Sequence, residues 1–560
     1  MSIGYLDTMV SLLVVLAAAL ASGQNALAAF TPLSATKTFA RMSPGWNLGN
    51  TLDALPTEGG WNNPPVQNGT FSQIYADGFR SVRIPLTFVN QFVSEAPSYT
   101  VNATWLSRIN YVVDAALSTG LYAVVNVHHD SWDWADMSGS KPDLEARKAK
   151  FEKLWEQLAT ILKDKVTQSS KLAPRFEPHF AFYQNERLLF ESLNEPVGST
   201  QADANAYNDL NLRFLNVVRN TGGNNPQRVL SLPGLNDNSQ YLTQWFTPPN
   251  NYTSDKWTVQ FHYYSPWDFT NNLWGKTFWG SDADKATVES DFAQVRGNFS
   301  VPILIGEYGT GSVGGAIEKA AGWAWYDHVV RTAIKYTMVP QWWDNGNDFY
   351  DRTAAKWRDV TTKNIVIAAA AGKINTIPYN GNGTVWLKSG GTTPPAIYLK
   401  YNGNTLKGIY TPTGTALTAG KDYTVITSPL AGFALTPSYI ASLGASTLGE
   451  IGRVIVRSSH GADLEIDIRR YARPVIPNGT INVSGNTNDY YINFSPNGAK
   501  LATVKAAGPS GEFLKDDWTV WLGEPQAGRI NWGDYGVYEN QLIIYSALMS
   551  AIKNFGKPVT

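Results

Sequence analysis

A (β/α)8 TIM barrel, of mixed α/β class, followed by two small all-β sandwich modules is the fold the sequence predicts. Three observations predict it. Between residues 30 and 373, eight short β-rich runs, each ending in polar or aromatic residues, alternate with longer stretches of helical periodicity. Beyond Gly372 that rhythm gives way to short alternating strands punctuated by Gly, Pro, Asn and Thr. A second change of texture, near Pro474–Pro477, opens a last segment rich in Asn, Tyr and Trp.

The expected barrel strands are Gly45–Asn50, Phe79–Leu86, Tyr122–Asp130, Leu188–Pro196, Arg228–Asn236, Trp257–Pro266, Val301–Gly309 and Met338–Gly346. Apolar residues at helical spacing predict crossover helices over Trp105–Ser118, Leu144–Leu162, Ala202–Asn220 and Gly322–Tyr336. Strands separated by helices pair in parallel, and eight such units close into a barrel. An open doubly wound sheet would carry a glycine-rich phosphate loop after its first strand, and Gly45–Asn50 (GWNLGN) lacks the spacing. Residues 380–473 are read as a sandwich in which Arg453–Arg457 pairs with Leu464–Ile468 across a turn at His460, Gly461 and Ala462. Residues 475–560 are read as a further β module, with a helical run at Asn540–Lys553.

Composition narrows the partners. Hydrophobic residues make up 43% and charged residues 16% of the 560 positions, which suits several packed cores. The net charge is -1 without a long run of one sign, so neither nucleic acid nor an anionic membrane surface is an expected partner. A neutral ligand fits better, and 20 Trp and 27 Tyr supply flat rings that stack on sugar faces as well as pack cores. Cysteine is absent, which removes disulfides, thiolate metal sites and cysteine nucleophiles. Val10–Ala21 is an apolar run shorter than the ~20 residues that span a bilayer, and small residues follow it at Ala21–Gly23 and Ala26–Ala28. Residues 1–28 are therefore expected to be a signal peptide and the protein secreted and extracellular, although Asp7 stands where a basic segment is usual. A monomer without cofactor is expected.

The chemistry sits at the strand ends, the rim where barrel enzymes assemble residues distant in sequence. Glu195 closes the fourth strand and Glu307 the seventh, on opposite sides of one mouth. Two such carboxyls suit hydrolysis of a glycosidic bond: one donates a proton to the leaving oxygen while the other, ionised, attacks the anomeric carbon. Asn194 is placed to bond the sugar hydroxyl beside that carbon, and Arg83 and Tyr264 to keep Glu307 ionised. Sequence neighbours therefore favour Glu195 as general acid/base and Glu307 as nucleophile. His128 and His129 are read as hydrogen-bonding sugar hydroxyls, because neighbours on a regular strand point to opposite sides and cannot share a metal ion. Asp133 and Trp134 are further candidates for the cleft.

These motifs carry a resemblance. GWNLGNTLDA at Gly45, RIP at Arg83, VHHD at Val127, LNEP at Leu193, HYYSP at His262, GEYG at Gly306 and WWDNG at Trp342 occur in the order found in glycoside hydrolase family 5, which the chain resembles along the whole barrel. The resemblance implies Arg83, His128, His129, Asn194, Glu195, His262, Tyr264, Glu307 and one of Trp342 and Trp343 as active-site residues, with Trp343 preferred as the sugar platform. It implies no metal or other cofactor. The motifs are most similar to the branch acting on cellulose, mixed-linkage glucan and xyloglucan. A β-glucan polysaccharide is thus the expected partner, cut internally at β-1,4 bonds with retention. A xyloglucan-specific enzyme or a β-mannanase on the same scaffold is the alternative, and a non-catalytic glucan-binding protein the alternative of another class. Residues 380–473 resemble the immunoglobulin-like module that follows such barrels, and residues 475–560 a family 46 carbohydrate-binding module. Trp518, Trp521, Trp532, Tyr535 and Tyr538 are its candidate glucan-facing rings, and the chain is expected to end before that module's last strand.

Overall fold

A computed structural model describes residues 32–139, 141–164, 166–168, 182–184, 186–249, 255–311, 317–444, 447–483, 485, 487–531 and 533–560. The expected signal segment and Trp532 lie outside the described residues. Eight strands, β1 (Gly45–Asn47), β2 (Ser81–Leu86), β3 (Tyr122–Val127), β4 (Leu188–Glu191), β5 (Leu230–Pro233), β6 (Trp257–Tyr263), β7 (Ile303–Tyr308) and β8 (Met338–Trp342), pair in parallel and close into a barrel, β1 bonding both β2 and β8. Around it run α1 (Thr70–Ala76), α2 (Ala103–Ser118), α3 (Leu144–Leu162), α4 (Gln201–Asn220), α5 (Ser239–Trp245), α6 (Asp282–Asn298), α7 (Lys319–Lys335) and α8 (Val360–Ala370), one after each strand.

The helices form where an apolar stripe meets the barrel. In α3 the stripe is Phe151, Leu154, Trp155, Leu158 and Leu162, all buried. Each such side chain contributes roughly 1.5–3 kcal/mol on leaving water, and Trp155 also donates its Nε1–H to the Ser192 carbonyl at 3.0 Å, tying the helix to the end of β4. Thr200 and Asp203 form a reciprocal capping box that starts α4 five residues after Glu195. At the opposite end of the barrel a short helix, Ala35–Phe39, seals the floor: Ala35, Phe39 and Met42 pack on Tyr122, Val124, Leu189, Val229, Leu304 and Val339.

Six of the eight barrel strands end three to five residues before the sequence suggests. β4 stops at Glu191 where Pro196 was expected, and β3 at Val127 where Asp130 was expected. The chain beyond turns over the mouth. His128 adopts φ -105°, ψ -98°, a 3-10 turn follows over His129–Trp132, and Glu195 sits at φ 39°.

After α8, two four-stranded sheets face each other over residues 377–471. One contains Ile377–Pro378, Ile397–Lys400, Gly432–Leu435 and Tyr423–Ile426, the other Thr384–Lys388, Leu464–Tyr471, Gly449–Ser458 and Leu406–Tyr410. The expected hairpin is there, with Val454 opposite Ile466 and Val456 opposite Leu464. Further on, Tyr490–Asn493, Gln541–Ile544 and Tyr535–Tyr538 make an antiparallel three-stranded sheet, and Ser546–Phe555 is a helix. The run read as helical from Asn540 is split: Gln541–Ile544, which ends in two β-branched isoleucines, is a strand, and the helix begins at Ser546. This last part touches the barrel through the loop after β6. Trp274 donates Nε1–H to Asp516 at 3.0 Å and meets Trp518 edge to face, with 4.7 Å between rings, while Gln526 bonds Asp268. Of its other expected sugar-facing rings, Trp521 is 87% exposed and Tyr538 is exposed, whereas Tyr535 is buried in a small core with Phe494, Ile530 and Leu548. Among the described residues no helix is long and apolar enough to cross a membrane.

Candidate active site

The C-terminal ends of the barrel strands bring every expected site residue to one mouth. Arg83, fully buried on β2, is the hub. Its guanidinium binds Glu191 on β4 through Nε at 2.8 Å and Nη2 at 2.6 Å, and reaches Glu307 Oε1 at 2.7 Å, Asn194 Oδ1 at 2.8 Å and Asn47 Oδ1 at 3.1 Å. A buried guanidinium is stable only when so surrounded. Burial opposes its charge, and Glu191 with Glu307 outweighs burial, so Arg83 is held well above its ordinary value. The same pairing keeps Glu191 below the usual carboxylate range although burial raises it.

Glu307, at the end of β7, takes a second bond on its other oxygen from the Tyr264 hydroxyl at 2.8 Å. Burial and the Glu307 and Glu195 carboxylates push Tyr264 well above its ordinary value, which makes it a standing O–H donor. Glu195, on the loop after β4, faces His262 Nδ1 at 3.0 Å through Oε1, and that nitrogen lies 3.6 Å from Glu307 Oε2. One oxygen of Glu195, a His262 ring nitrogen and one oxygen of Glu307 all lie within 4.8 Å of one another. Burial alone would lower His262, but Glu307, Asp237 and Glu195 push it up to about 9, so it stands as an imidazolium between two carboxylates. Burial likewise raises Glu195, and the hydrogen bond and charge of His262 reverse this, holding it below the usual carboxylate range.

His128 and His129 do not diverge as adjacent strand residues would, because β3 ends before them. Their rings meet edge to face at 4.5 Å, and one donor atom each from Asp53, His128 and His129 lies within a 4.8 Å cluster. The orientation argument against a shared ion therefore fails. Asp53 and His128 have hydrogen-bond partners of their own, whereas both ring nitrogens of His129 are buried without one. Asp53 accepts the backbone N–H groups of Asn50 and Thr51, and the Asn126 amide lies 3.2 Å from His128 Nδ1. Burial, then the charges of His129, Arg83 and His262, holds His128 well below its ordinary value. As a neutral ring bonded at Nδ1 by an amide donor, it carries its proton on Nε2, 3.9 Å from Glu307 Oε1.

The two tryptophans of WWDNG separate cleanly. Trp342 is fully buried against Phe349, Trp357 and Tyr326 and donates Nε1–H to Tyr326 at 3.1 Å. Trp343 is partly exposed and lies parallel to the His128 ring, 2° from coplanar with centroids 5.7 Å apart. Trp134 is occupied structurally, bonding Asp130 and carrying Lys150 over its face, and Asp133 is exposed beside it. Sequence reasoning missed Glu191, Asn47, Asn126 and Asp237, all buried, and the exposed rings Trp61 and Trp132 beside His129 and Trp267 beside Tyr264. An acidic residue four positions before Glu195 on a strand facing inward was the available signal for Glu191.

A parallel eight-stranded barrel with two carboxyls meeting at its C-terminal mouth beside a tryptophan platform defines the glycoside hydrolases of barrel type. Comparison with known proteins narrows this. Residues 43–167 and 179–349 match the family described as Cellulase (glycosyl hydrolase family 5), and the chain belongs to that family. Endoglucanase B of Paenibacillus lautus is 29% identical over 547 residues, which cover 94% of this chain and 88% of that protein. A tri-modular family 5 (subfamily 4) endo-β-1,4-glucanase from Bacillus licheniformis, solved with cellotetraose, is similar at 37% identity and a TM-score of 0.80, over 93% of this chain and 95% of that one. A family 5 xyloglucanase from Paenibacillus pabuli, in complex with ligand, is similar at 31% identity and a TM-score of 0.52, over 60% of this chain and 99% of that one.

Proposed function

We propose that the chain is an endo-β-1,4-glucanase acting on cellulose and mixed-linkage glucan by double displacement, with Glu307 as nucleophile and Glu195 as general acid/base. The observation that carries this is the approach of the two carboxyls, one oxygen of each within 4.8 Å. Retaining enzymes need about 5–5.5 Å between these groups, whereas inverting ones need ~6.5–9.5 Å to admit a water. In the first step Glu307 attacks the anomeric carbon, the glycosidic C–O bond breaks, and the departing oxygen takes both its electron pair and a proton from Glu195. In the second, Glu195 removes a proton from water, whose oxygen displaces Glu307 from the sugar and restores both groups.

Neighbouring groups fit these roles. Arg83 and Tyr264 hold both oxygens of Glu307 and aim it at the anomeric carbon. Because Arg83 occupies the Asn194 oxygen, the amide NH2 remains as its donor toward a sugar hydroxyl. His128 Nε2–H and His129 are further donors, and Trp343 is the platform under the sugar at the reacting centre. Trp61, Trp132 and Trp267 extend apolar faces along a polymer's path. Glu195 is 30% exposed, so a seated sugar strips its remaining water and favours the protonated form needed for the first step.

Both carboxyls being in place argues against a protein that only binds glucan. Residues 380–473 and 475–560 are read as an immunoglobulin-like module and a carbohydrate-binding module, and residues 1–28 as a signal for secretion of a monomer. The test is reducing-sugar release from carboxymethylcellulose, barley β-glucan and xyloglucan. Release from the first two supports the assignment, dominance of the third marks a xyloglucanase, and folded protein that releases sugar from none refutes it.

A further inference from the structure

Asp237 belongs to none of the motifs above, yet it is fully buried and lies against the Glu195–His262 pair. It ends the loop after β5, and that loop is stitched to the loop after β4. The Asn236 N–H bonds the Pro196 carbonyl at 2.7 Å, the Asn236 side chain bonds the Gly198 carbonyl at 2.8 Å, and the Glu195 N–H donates to Asp237 Oδ2 at 2.7 Å. Three of these residues hold left-handed backbone, Glu195 at φ 39°, Asn236 at φ 55° and Asp237 at φ 48°. Asn and Asp enter that region more readily than other non-glycine residues, so the strain falls on Glu195, which surrounding contacts must hold there. The same Oδ2 that holds the Glu195 backbone stands 3.4 Å from His262 Nε2, on the far side of the imidazole from Glu195.

We infer that Asp237 is a positioning residue for the acid/base: its Oδ2 pins the strained backbone of Glu195 and keeps a proton on His262 Nε2, so that the imidazole presents Nδ1–H to the Glu195 carboxyl. The inference rests on the reading of Glu195 as acid/base. An anion facing Nε2 favours the doubly protonated ring, which is a donor at both ends. The groups around that ring are Glu195, Glu307 and Asp237 in contact, with Glu191 and His128 within electrostatic reach. Burial pushes Asp237 itself up to about 7, and the charge of His262 pulls it back down. Nε2 of His262 is buried with no hydrogen-bond partner, and its 3.4 Å approach to Asp237 Oδ2 is an ion-pair contact; Oδ1 of Asp237 is likewise buried and unbonded. The acid/base is thus held at its backbone and at its carboxyl by one buried carboxylate.

A residue that works through the acid/base matters only when the leaving group needs a proton. Asp237→Asn, Asp237→Ala and Glu195→Ala are compared by kcat/KM on barley β-glucan, whose leaving sugar needs protonation, and on 2,4-dinitrophenyl β-cellobioside, whose leaving group does not. Asp237→Ala should lower the first by about 10²-fold and leave the second within about threefold. The isosteric Asp237→Asn, which keeps an acceptor for the Glu195 N–H, should fall between it and the parent. In a Glu195→Ala background, Asp237→Ala should add no further loss on the polymer. Equal losses on both substrates from the Asp237 variants, or a fully additive double variant, overturn the inference while leaving Glu195 as acid/base, provided Glu195→Ala discriminates the substrates. If Glu195→Ala hits both substrates equally, the acid/base reading falls and the inference with it.

Discussion

Arg83 and Glu307 stand 2.7 Å apart at the centre of the mouth, although 224 positions separate them in the chain. The contact is one side of a fork whose other side grips Glu191, so the carboxylate is aimed by a group that cannot itself swing away. Removing the negative charge of Glu307 without changing its shape should leave that frame standing. Glu307→Gln should melt within a few degrees of the parent and bind glucan almost as well, while hydrolysis falls by several orders of magnitude. Calorimetric melting, affinity electrophoresis in glucan and reducing-sugar assay check it; near-parental activity would mean another nucleophile.

Removal of the Glu195 side chain leaves the covalent glycosyl-enzyme without a base to activate water. Azide, an anion needing no deprotonation, fits the vacated space. Glu195→Ala should therefore regain turnover of an activated aryl cellobioside on adding azide, and the product should be the β-azide. An α-configured azide seen by NMR would contradict retention.

Trp342 and Trp343 are neighbours with opposite surroundings, and their alanine variants should diverge. Trp343→Ala removes a partly exposed platform worth about 1–2 kcal/mol of stacking, raising KM roughly five- to thirtyfold with little change in melting. Trp342→Ala opens a cavity between barrel and helices, costing about 3–5 kcal/mol of stability. Reversal of the two outcomes would show the wrong ring had been given to the sugar.

The pH profile follows from His262. Its hydrogen bond and charge hold Glu195 low despite burial, which acts upward. The first step needs Glu195 protonated, so the basic limb of kcat/KM reports the loss of that proton. Substituting a neutral side chain removes the downward pull, and Glu195 must then keep its proton to higher pH. In His262→Gln the basic limb should move upward, whatever the fall in rate. A limb that stays in place or moves down would separate His262 from the acid/base.

The proposed double displacement uses two carboxyls and water alone. Activity measured before and after exhaustive treatment with a chelator should agree within error. A loss restored by one added divalent ion would point to the cluster of Asp53, His128 and His129.

The barrel and its two glutamates were legible because strand-helix alternation is a long, repeated signal and because the functional groups stand where strands end. Strand ends themselves were less legible. His128 and Asn194 still donate their backbone N–H to the neighbouring strand, at Leu86 and Val127, but the chain turns over the mouth from there, and nothing in their identity marks the exit. That error in β3 is what made the histidine pair look divergent. Asp237 sits in an Asn-Asp-Asn stretch indistinguishable from an ordinary turn, and its significance comes only from the pairing of β4 with β5. Trp61, Trp132 and Trp267 were equally opaque, since loop tryptophans acquire a direction only from the fold. In the last segment Tyr535 passed for a surface ring because alternation over four residues cannot say which face is covered.

The short helix Ala35–Phe39 corks the barrel from below. Strand side chains fill the interior above it, so the barrel offers a polymer a surface and not a channel. The polymer has to be laid across the open rim, where any bond along its length is as presentable as any other and no terminus is required.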